Sequence, residues 1–328
     1  MFDLKKVYLG ITPTGWTNDD LPTIGEDIPF EQCVSEMALA GFQGCSIGHK
    51  FPTKAAQLRE ELKMRNLHIS EPWASTYFTV EPNGEQTRAN FQERMDFIQE
   101  VYEGSDGSIK ADMVVAELGC AVHQQPLEPL INRPHFTDEQ WEKMVLGLKE
   151  LAKKADDNGM KLCYHHHVGT GVQQSEEIDR LMQYTEGSSV HLLFDTGHLY
   201  YAEELTQPGT GQQKIEYIVG RYADRIKHVH LKNIRLSVLR KAKAYKWSFL
   251  KAMQEGVFTV PGDHEAGAID FEPILKALAD KNYEGWLIVE AEQDPRKANP
   301  LRYAQMAHQY LEQKVKSLSM EASLAGMR

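Results

Sequence analysis

The sequence predicts an α/β protein, a single (β/α)8 barrel with an extra helix at its C-terminal end. Short apolar runs of β type alternate with amphipathic helical runs eight times along the 328 residues, which is typical of a parallel sheet with crossover helices. Several of the apolar runs end in charged or imidazole side chains, and the active sites of such barrels lie at the C-terminal ends of the strands. A doubly wound open sheet is the alternative, but no Gly-x-Gly-x-x-Gly turn follows the first strand.

The expected domain organisation is one barrel domain that covers residues 1–328. Its core runs from about residue 5 to residue 318, an insertion of residues 233–270 follows the seventh strand, and residues 319–328 form a tail. The length and the 41% hydrophobic content suit one barrel of ~250 residues with insertions, or two smaller domains. The unbroken alternation of strand and helix patterns favours the single barrel.

The predicted strands are short apolar runs that end at a polar residue or a glycine. They are Val7–Ile11, Phe42–Ile47, Leu67–Ser70, Asp112–Ala116, Met160–Tyr164, Val190–Phe194, Ile226–Leu231 and Trp286–Val289. The predicted helices have apolar positions at helical spacing. They are, approximately, Phe30–Ala40, Thr53–Arg65, Glu85–Tyr102, Thr137–Asp157, Ser175–Tyr184, Gln212–Ala223, Trp247–Glu255, Phe271–Lys281 and Pro300–Leu318.

Charge, cysteine usage and hydropathy favour a cytoplasmic enzyme with a small-molecule partner. The net charge of −11 argues against broad affinity for nucleic acid or anionic membranes, since both need clustered Lys and Arg. The cysteines are scattered, without a C-x-x-C pair, which indicates reduced thiols. No run reaches the ~18 apolar residues of a membrane span, and the first apolar run is too short for a signal peptide. A homo-oligomer is compatible with this composition.

Three of the strands end in side chains suited to a divalent metal ion. They are the runs Leu193–His198, His228–Lys232 and Leu287–Glu292. Because strand side chains alternate between faces, Asp195, His230 and Glu290 are expected to point into the barrel at neighbouring strand ends. Nitrogen and oxygen ligands of this kind suit a borderline ion such as Mn²⁺, Co²⁺ or Zn²⁺. The alternatives are a turn or helix cap for Asp195 and a buried structural histidine for His230.

Further polar side chains are expected near these strand ends. In the H-H-H-x-G-T-G run, alternation places His165 and His167 inward and His166 toward the helices, unless the three form a surface cluster. Lys232 is on the inward face of the seventh strand, where an ammonium group balances acidic ligands. His228 is on the same face, and a structural role is as reasonable for it as a functional one.

Several motifs are similar to those of one known enzyme family. They are Gly15–Pro22 (G-W-T-N-D-D-L-P), Phe42–Pro52, His165–Val172 (H-H-H-V-G-T-G-V), Leu193–His198, His228–Lys232, Phe258–Asp263 and Val289–Pro295. In these runs the chain resembles the inosose dehydratases, or 2-keto-myo-inositol dehydratases, of the xylose isomerase-like TIM barrel superfamily. The W-T-N-D-D and H-H-H-x-G-T-G runs are specific to that subgroup, whereas D-T-G-H and H-x-H-L-K recur across the superfamily.

The resemblance implies a metal-dependent hydro-lyase that converts 2-keto-myo-inositol to a trihydroxycyclohexane-dione in inositol catabolism. It also implies Mn²⁺ or Co²⁺ as the ion, with Zn²⁺ as a further option, and a glutathione requirement. The superfamily typically holds its metal with Glu, Asp, His and Glu from the last four strands. Asp195, His230 and Glu290 match the last three, but the fifth-strand Glu falls at His165. We therefore expect either His165 as the fourth ligand or a vacated corner there.

The reaction expected from this resemblance is β-elimination of water from a polyhydroxylated cyclic ketone or related sugar, through an enediolate. Glu290 or His165 is the expected base, and His198, His167 or Lys232 is the expected acid. Glu117, after the fourth strand, is a candidate second carboxylate. The candidate substrate-binding residues are polar or aromatic side chains near the C-terminal ends of strands, namely Trp16, Asn18, Lys50, Trp73, Glu117 and His167.

Other functions remain open to this sequence. A ketose 3-epimerase or sugar isomerase would use the same metal and enediolate, but His165 removes one of the two carboxylates that such chemistry generally uses. A nucleic-acid repair endonuclease of the same superfamily is disfavoured by the acidic charge. A ligand-binding barrel without catalysis is disfavoured by the intact strand-end ligands. The loops Glu117–Gln125 and Gly262–Asp270 depart from the family pattern where substrate would lie.

Overall fold

A computed structural model describes residues 1–80 and 82–319 of the chain. Within these residues the strands are β1 (Val7–Ile11), β2 (Gly44–Ser46), β3 (His68–Glu71), β4 (Trp73–Thr76), β5 (Met113–Glu117), β6 (Leu162–His165), β7 (Val190–Asp195), β8 (Ile226–Leu231), β9 (Asn233–Ile234), β10 (Phe258–Thr259) and β11 (Gly285–Val289). The helices are α1 (Phe30–Leu39), α2 (Ala55–Lys63), α3 (Gly84–Val101), α4 (Asp138–Asp157), α5 (Ser175–Tyr184), α6 (Thr196–Thr206), α7 (Gly211–Tyr222), α8 (Leu236–Ala244), α9 (Phe249–Gln254), α10 (Glu272–Asp280) and α11 (Pro300–Ser317).

The large parallel sheet closes on itself. Its strand order is β3-β2-β1-β11-β8-β7-β6-β5-β4, and neighbouring strands run parallel. The two end strands, β3 and β4, are consecutive in the chain and are separated by Pro72 alone. Because proline has no backbone N–H to donate, it interrupts one continuous third strand, and the sheet is an eight-stranded barrel. The predicted (β/α)8 fold is confirmed.

The third strand is longer than the sequence predicts. The predicted strand ends at Ser70, but Glu71 still belongs to β3 and Trp73 begins β4. Trp73 pairs in register with Val114 of β5. The extension carries Glu71, which is 3% exposed, into the barrel interior as a strand residue.

Two helices lie where the sequence pattern predicts none. Helix α6 begins immediately after β7, and α8 lies within the insertion. Residues 196–204 of α6 are all buried, so this helix has no polar face and lacks the periodic pattern of an amphipathic helix. The absence of a loop between β7 and α6 places Asp195 at both a strand end and a helix start.

The apolar core lies between the barrel and its surrounding helices. A separate small cluster of Val114, Cys163 and Leu193 is buried inside the barrel. Because Leu193 is two residues before Asp195 on the same strand, both side chains are on the inward face. This apolar cluster therefore forms the floor beneath the polar strand ends.

The insertion and the C-terminal helix contact each other beside the barrel, where Arg235 hydrogen-bonds to the hydroxyl of Tyr303. Strands β9 and β10 pair antiparallel within the insertion, where the sequence predicts one helix and a turn. Helix α11 is the predicted extra helix, and its buried face contains Ala304, Ala307 and Leu311. Of the predicted tail, only Ser319 is among the described residues. No helix within residues 1–80 and 82–319 is both long and apolar enough to span a membrane.

Candidate active site

Four side chains from the last four barrel strands meet at the C-terminal end of the barrel. His165 ends β6, Asp195 ends β7, His230 lies in β8 and Glu290 follows β11. One ligand atom of each residue lies within 4.8 Å of those of the others. His230 Nδ1 is 2.9 Å from Glu290 Oε2, and His165 Nε2 is 3.6 Å from Asp195 Oδ2. The structure thus brings together the four predicted metal ligands.

The two carboxylate oxygens of Asp195 have different environments. Oδ1 accepts a 2.8 Å hydrogen bond from the backbone N–H of His198 and caps helix α6. Oδ2 is buried among the four ligands and has no hydrogen-bond partner among the described residues. A buried carboxylate oxygen without a partner is costly, and a cation would satisfy it. The cap and ligand interpretations therefore apply to different oxygens of one side chain.

Lys232 is a fully buried ammonium group among acidic side chains. Its Nζ is 2.7 Å from Glu292 Oε2, 3.1 Å from Glu290 Oε2 and 3.8 Å from Asp195 Oδ2. It also donates a 2.8 Å hydrogen bond to His198 Nε2. Burial alone would lower the pKa of Lys232, but the neighbouring carboxylates raise it above its usual value. Lys232 therefore remains charged and neutralises part of the acidic cluster.

The charged ligands perturb one another strongly. Burial by itself would lower the pKa of His230, but the carboxylates of Glu290 and Glu71 raise it to about 10. Burial would raise the pKa of Glu290, yet Lys232 and His230 hold it well below its usual value. For Glu292, burial and then Glu290 raise the pKa to about 7 against the opposing effect of Lys232. Positive and negative groups therefore alternate across the cluster, and an ion that binds there would displace the proton of His230.

A second buried chain of polar groups reaches His230 from inside the barrel. Glu71 Oε1 is 3.2 Å from His230 Nε2, and Glu71 Oε2 is 3.3 Å from His228 Nε2. On its other side, His228 Nδ1 is 3.0 Å from Asp112 Oδ2. Burial would raise the pKa of Glu71, but the two imidazoles lower it to about 2. His228 is therefore neither isolated in the core nor among the four ligands.

Four imidazole rings pack against one another beside the ligands. The ring centroids of His167 and His198 are 3.7 Å apart, those of His123 and His167 4.6 Å, and those of His165 and His167 5.5 Å. Phe249 of the insertion covers them, with its ring centroid 5.3 Å from His167. Burial is the largest cause that lowers the pKa of all four imidazoles, so they are neutral at pH 7.

His123 reaches this cluster because two loops approach closely. The backbone N–H of Val122 donates a 2.9 Å hydrogen bond to the carbonyl of Gly169. Gly169 has a φ of +84°, and a Cβ there would lie 2.9 Å from the backbone nitrogen of His123. Only glycine fits this position without strain. The first glycine of the H-H-H-x-G-T-G run thus positions the loop after β5.

A cavity of about 240 Å³ opens over the ligand cluster. Its lining includes six of the predicted site residues, namely Asn18, Trp73, His165, His167, His230 and Glu290. It also includes polar residues that the sequence did not single out, namely Asp19, Asp20, Glu71, His123, Gln124 and Glu292. Pockets for drug-sized ligands are typically ~300–1,000 Å³. A polar cavity of this size suits a small hydroxylated molecule.

Three predicted substrate-binding residues lie outside the cavity lining, and their polar atoms form hydrogen bonds with other parts of the protein. Trp16 Nε1 donates a 2.6 Å hydrogen bond to Glu36 Oε2. Lys50 Nζ donates to the backbone carbonyls of residues 25, 26 and 28. Glu117 is fully buried and accepts hydrogen bonds from the backbone N–H and the hydroxyl of Thr79. The structure does not support substrate contacts for Trp16, Lys50 and Glu117, which instead stabilise loops.

Glu71 and His123 are cavity residues that the sequence reasoning missed, and Glu292 is one to which it gave no role. Glu71 directly follows the predicted third strand, and alternation places Glu292 on the same inward-facing side of its strand as Glu290. Both signals are therefore present in the sequence. His123 lies in an irregular loop, where no periodicity indicates which way a side chain points.

Known proteins resemble this chain along nearly its whole length. The family model for xylose isomerase-like TIM barrels matches residues 34–314. The inosose dehydratase of Clostridium botulinum (strain Alaska E43 / Type E3) is 48% identical over 315 residues, which cover 96% of this chain and 99% of the relative. That of Geobacillus thermodenitrificans (strain NG80-2) is 46% identical over 312 residues, with 95% and 98% covered. The chain belongs to the inosose dehydratase family.

Solved structures agree with this inosose dehydratase family member in fold. The IolI protein with a bound zinc atom matches with a TM-score of 0.65 and 15% identity, covering 95% of this chain and 99% of that chain. The D-allulose 3-epimerase from Methylomonas sp. in complex with D-allulose matches with a TM-score of 0.61 and 15% identity, covering 96% and 99%. Identity this low shows a common fold alone. The expected family and superfamily are confirmed.

Proposed function

We propose that this inosose dehydratase family member removes water from 2-keto-myo-inositol, with a divalent ion held by His165, Asp195, His230 and Glu290. The observation that carries the proposal is the convergence of these four residues beneath the cavity. It occurs in a chain that is 48% identical to an inosose dehydratase over nearly its full length. The reaction class is therefore that of a hydro-lyase.

The residues present fit a divalent ion. Two imidazoles and two carboxylates offer ligand atoms within 4.8 Å of one another, a donor set that borderline ions accept. The unpartnered Oδ2 of Asp195 supports an ion at this position. When bound, a divalent ion supplies Lewis acidity that polarises a carbonyl oxygen and stabilises negative charge beside it. Mn²⁺ or Co²⁺ as the native ion, Zn²⁺ as a further option and the glutathione requirement stay predictions.

His167 and Glu290 are the proposed acceptors of the proton next to the substrate carbonyl. Both side chains line the cavity. The ring nitrogen Nδ1 of His167 is 2.7 Å from the carbonyl oxygen of Val168, which can only accept, so Nδ1 carries the proton. Nε2 of His167 is then an acceptor. This tautomer favours His167 as a base rather than as the acid expected from the sequence, and His165 acts through its position among the ligands.

Lys232 and Glu292 are the proposed source of the proton for the departing hydroxyl. Glu292 lines the cavity, whereas Lys232 and His198 are not part of the lining. Lys232 Nζ donates a 2.7 Å hydrogen bond to Glu292 Oε2, so the pair can pass a proton toward bound substrate. His198 has a supporting role, because its Nε2 accepts a hydrogen bond from Lys232.

Trp73 and Asn18 are the proposed substrate contacts that remain from the sequence prediction. The indole of Trp73 is 37% exposed and stands 5.6 Å from the ring of His165. An aromatic face of this kind packs against the C–H face of a cyclic polyol. Asn18 Oδ1 is occupied by the backbone N–H groups of residues 20 and 21. Its Nδ2 makes only a weak 3.9 Å contact with the Met253 sulfur, so the amide N–H groups suit a substrate hydroxyl.

The test is to load the purified protein with Mn²⁺ or Co²⁺ and to incubate it with 2-keto-myo-inositol and, separately, with ketohexoses. We expect dione absorbance to rise with the inosose and not to rise with the Asp195→Asn variant. The alternative is a ketose 3-epimerase, which would form epimers without dione. Epimer formation from ketohexoses with no dione from any inosose would overturn the proposal.

A polyhydroxylated small-molecule partner follows from this proposal. The cytoplasmic location, the lack of nucleic-acid and membrane binding and the homo-oligomer stay predictions from the sequence. The same holds for the division of residues 1–328 into a barrel core, an insertion and a tail.

A further inference from the structure

A line of buried polar side chains crosses the barrel from its N-terminal end to the candidate metal site. The line runs from Asp112 through His228 and Glu71 to His230, with successive separations of 3.0, 3.3 and 3.2 Å. Their exposures are 5%, 0%, 3% and 4%. Asp112 precedes β5 and lines a second cavity at the N-terminal end of the barrel. The metal site is thus connected to the opposite end of the fold.

The last link decides which nitrogen of His230 faces the ligands. Nδ1 lies 2.9 Å from Glu290 Oε2 and 3.7 Å from Asp195 Oδ2, whereas Nε2 lies 3.2 Å from Glu71 Oε1. An ionised carboxylate only accepts hydrogen bonds, so Nε2 carries a hydrogen. Nδ1 faces the carboxylate of Glu290 in the same way, so it also carries a hydrogen while no ion is bound. An ion at this position would replace the hydrogen on Nδ1, whereas Nε2 would keep its own for Glu71. Metal-binding histidines commonly donate their other N–H to a carboxylate, which fixes the ring orientation and tautomer.

The link between Glu71 and His228 is the weakest of the three. The contact between Glu71 Oε2 and His228 Nε2 is an ion pair at 3.3 Å, and neither atom makes a well-aligned hydrogen bond to any described residue. The contact of His228 Nδ1 with Asp112 Oδ2, at 3.0 Å, is a hydrogen bond. Asp112 should therefore influence His230 in the same direction as Glu71 but more weakly.

We propose that Glu71 is the positioning residue for His230, and that His228 and Asp112 support it from within the barrel. This inference rests on the proposed metal set. It assigns a role to a carboxylate from the third strand, outside the last four strands that supply the ligands. It also accounts for a buried glutamate between two imidazoles, which would otherwise be costly.

The experiment measures ion binding rather than activity. Co²⁺ affinity is determined by competition with a chromogenic chelator, and the visible absorption of the Co²⁺-loaded protein reports ligand geometry. Glu71→Met removes the acceptor and should weaken binding about 10- to 100-fold and shift the spectrum. Glu71→Gln keeps an acceptor oxygen, so its Co²⁺ affinity and its absorption spectrum should both be close to those of the parent. Asp112→Asn should weaken binding less than Glu71→Met does and should have no further effect in the Glu71→Met background.

Two controls separate this inference from the proposed function. Glu117→Met removes another buried strand-end carboxylate that does not contact the ligands, and it should leave the Co²⁺ affinity and spectrum as in the parent. Asp195→Asn should abolish tight binding. If Asp195→Asn loses the ion while Glu71→Met binds it as the parent does, the positioning role is overturned and the metal set stands. A parent that binds no ion overturns the proposed function and this inference with it. Two ions per parent chain would make Glu71 a ligand and overturn the positioning role.

Discussion

Replacement of Lys232 by methionine should destabilise the protein strongly without a divalent ion and much less with one. Carboxylate oxygens of Asp195, Glu290 and Glu292 lie 2.7–3.8 Å from the buried Nζ, which also lies 4.6 Å from the ring centroid of Phe258. Methionine keeps the chain length but has no charge. Removing one partner of a buried ion pair costs ~3–5 kcal/mol, because the remaining charges lose their counterion in the interior.

Chemical denaturation in chelator and in saturating Mn²⁺ measures this effect. We expect the free energy of unfolding to fall by ~3–5 kcal/mol in chelator. The loss should be smaller in Mn²⁺, because an ion beside the same carboxylates stabilises the folded state by mass action. Lys153→Met is the control, since its pair with Asp157 is exposed and should contribute only ~0–1 kcal/mol in both conditions. A Lys232→Met protein as stable as the parent in chelator would refute the charge-balance reasoning.

Three further predictions concern the ligands and one remote histidine. Asp195→Asn, His230→Ala and Glu290→Gln should each abolish ion binding and activity while the barrel stays folded. Metal analysis measures the bound ion and circular dichroism measures the fold. Full metal occupancy in all three variants would contradict the proposed site. His165→Glu should lower dehydration at least ~10-fold, about 1.4 kcal/mol of barrier, and permit α-proton exchange without water loss. Deuterium wash-in beside dione formation tests this, and an unchanged dehydration rate would show that the imidazole is neither ligand nor base. Burial lowers the pKa of His191 to about 4, below the ~6.5 of an unfolded chain. Because the unfolded chain takes up this proton more readily than the folded protein, the contribution of neutral His191 to the free energy of unfolding is complete above about pH 6.5. It is lost as the pH falls toward 4. His191→Gln should therefore flatten the fall of the urea midpoint in that range, and a variant with the slope of the parent would contradict the shift.

Strand alternation was sufficient to predict the convergence of the proposed metal ligands. Asp195, His230 and Glu290 each follow a clear apolar run, and parallel strands bring their C-terminal ends to one face of a barrel. The same rule places Lys232 among them, and the structure agrees. These residues are predictable because their orientation depends on two local properties of the sequence. One is which run of residues forms the strand, and the other is the position of the residue in the alternation of inward and outward side chains.

The parts that the sequence did not predict depend on partners far away in the chain. Helix α6 was missed because burial on all sides leaves it without the polar face that marks an amphipathic helix. Glu71 was missed because Pro72 ends the apparent strand, and its imidazole partners come from β8. The partners of Lys50 were not predicted, because only the folded loop shows that three backbone carbonyls bind its ammonium group.

Asp195 caps helix α6 and is a proposed metal ligand, and these two roles together restrict which amino acid can occupy that position. Asparagine caps a helix as well as aspartate does, but it brings no charge to an ion. Glutamate brings the charge, but its longer side chain is not among the residues that cap helices well. Because α6 starts directly at the end of β7, no intervening residue can take over either task. The junction therefore couples the direction in which α6 leaves the barrel to the position of a proposed metal ligand. A shift in one requires a shift in the other.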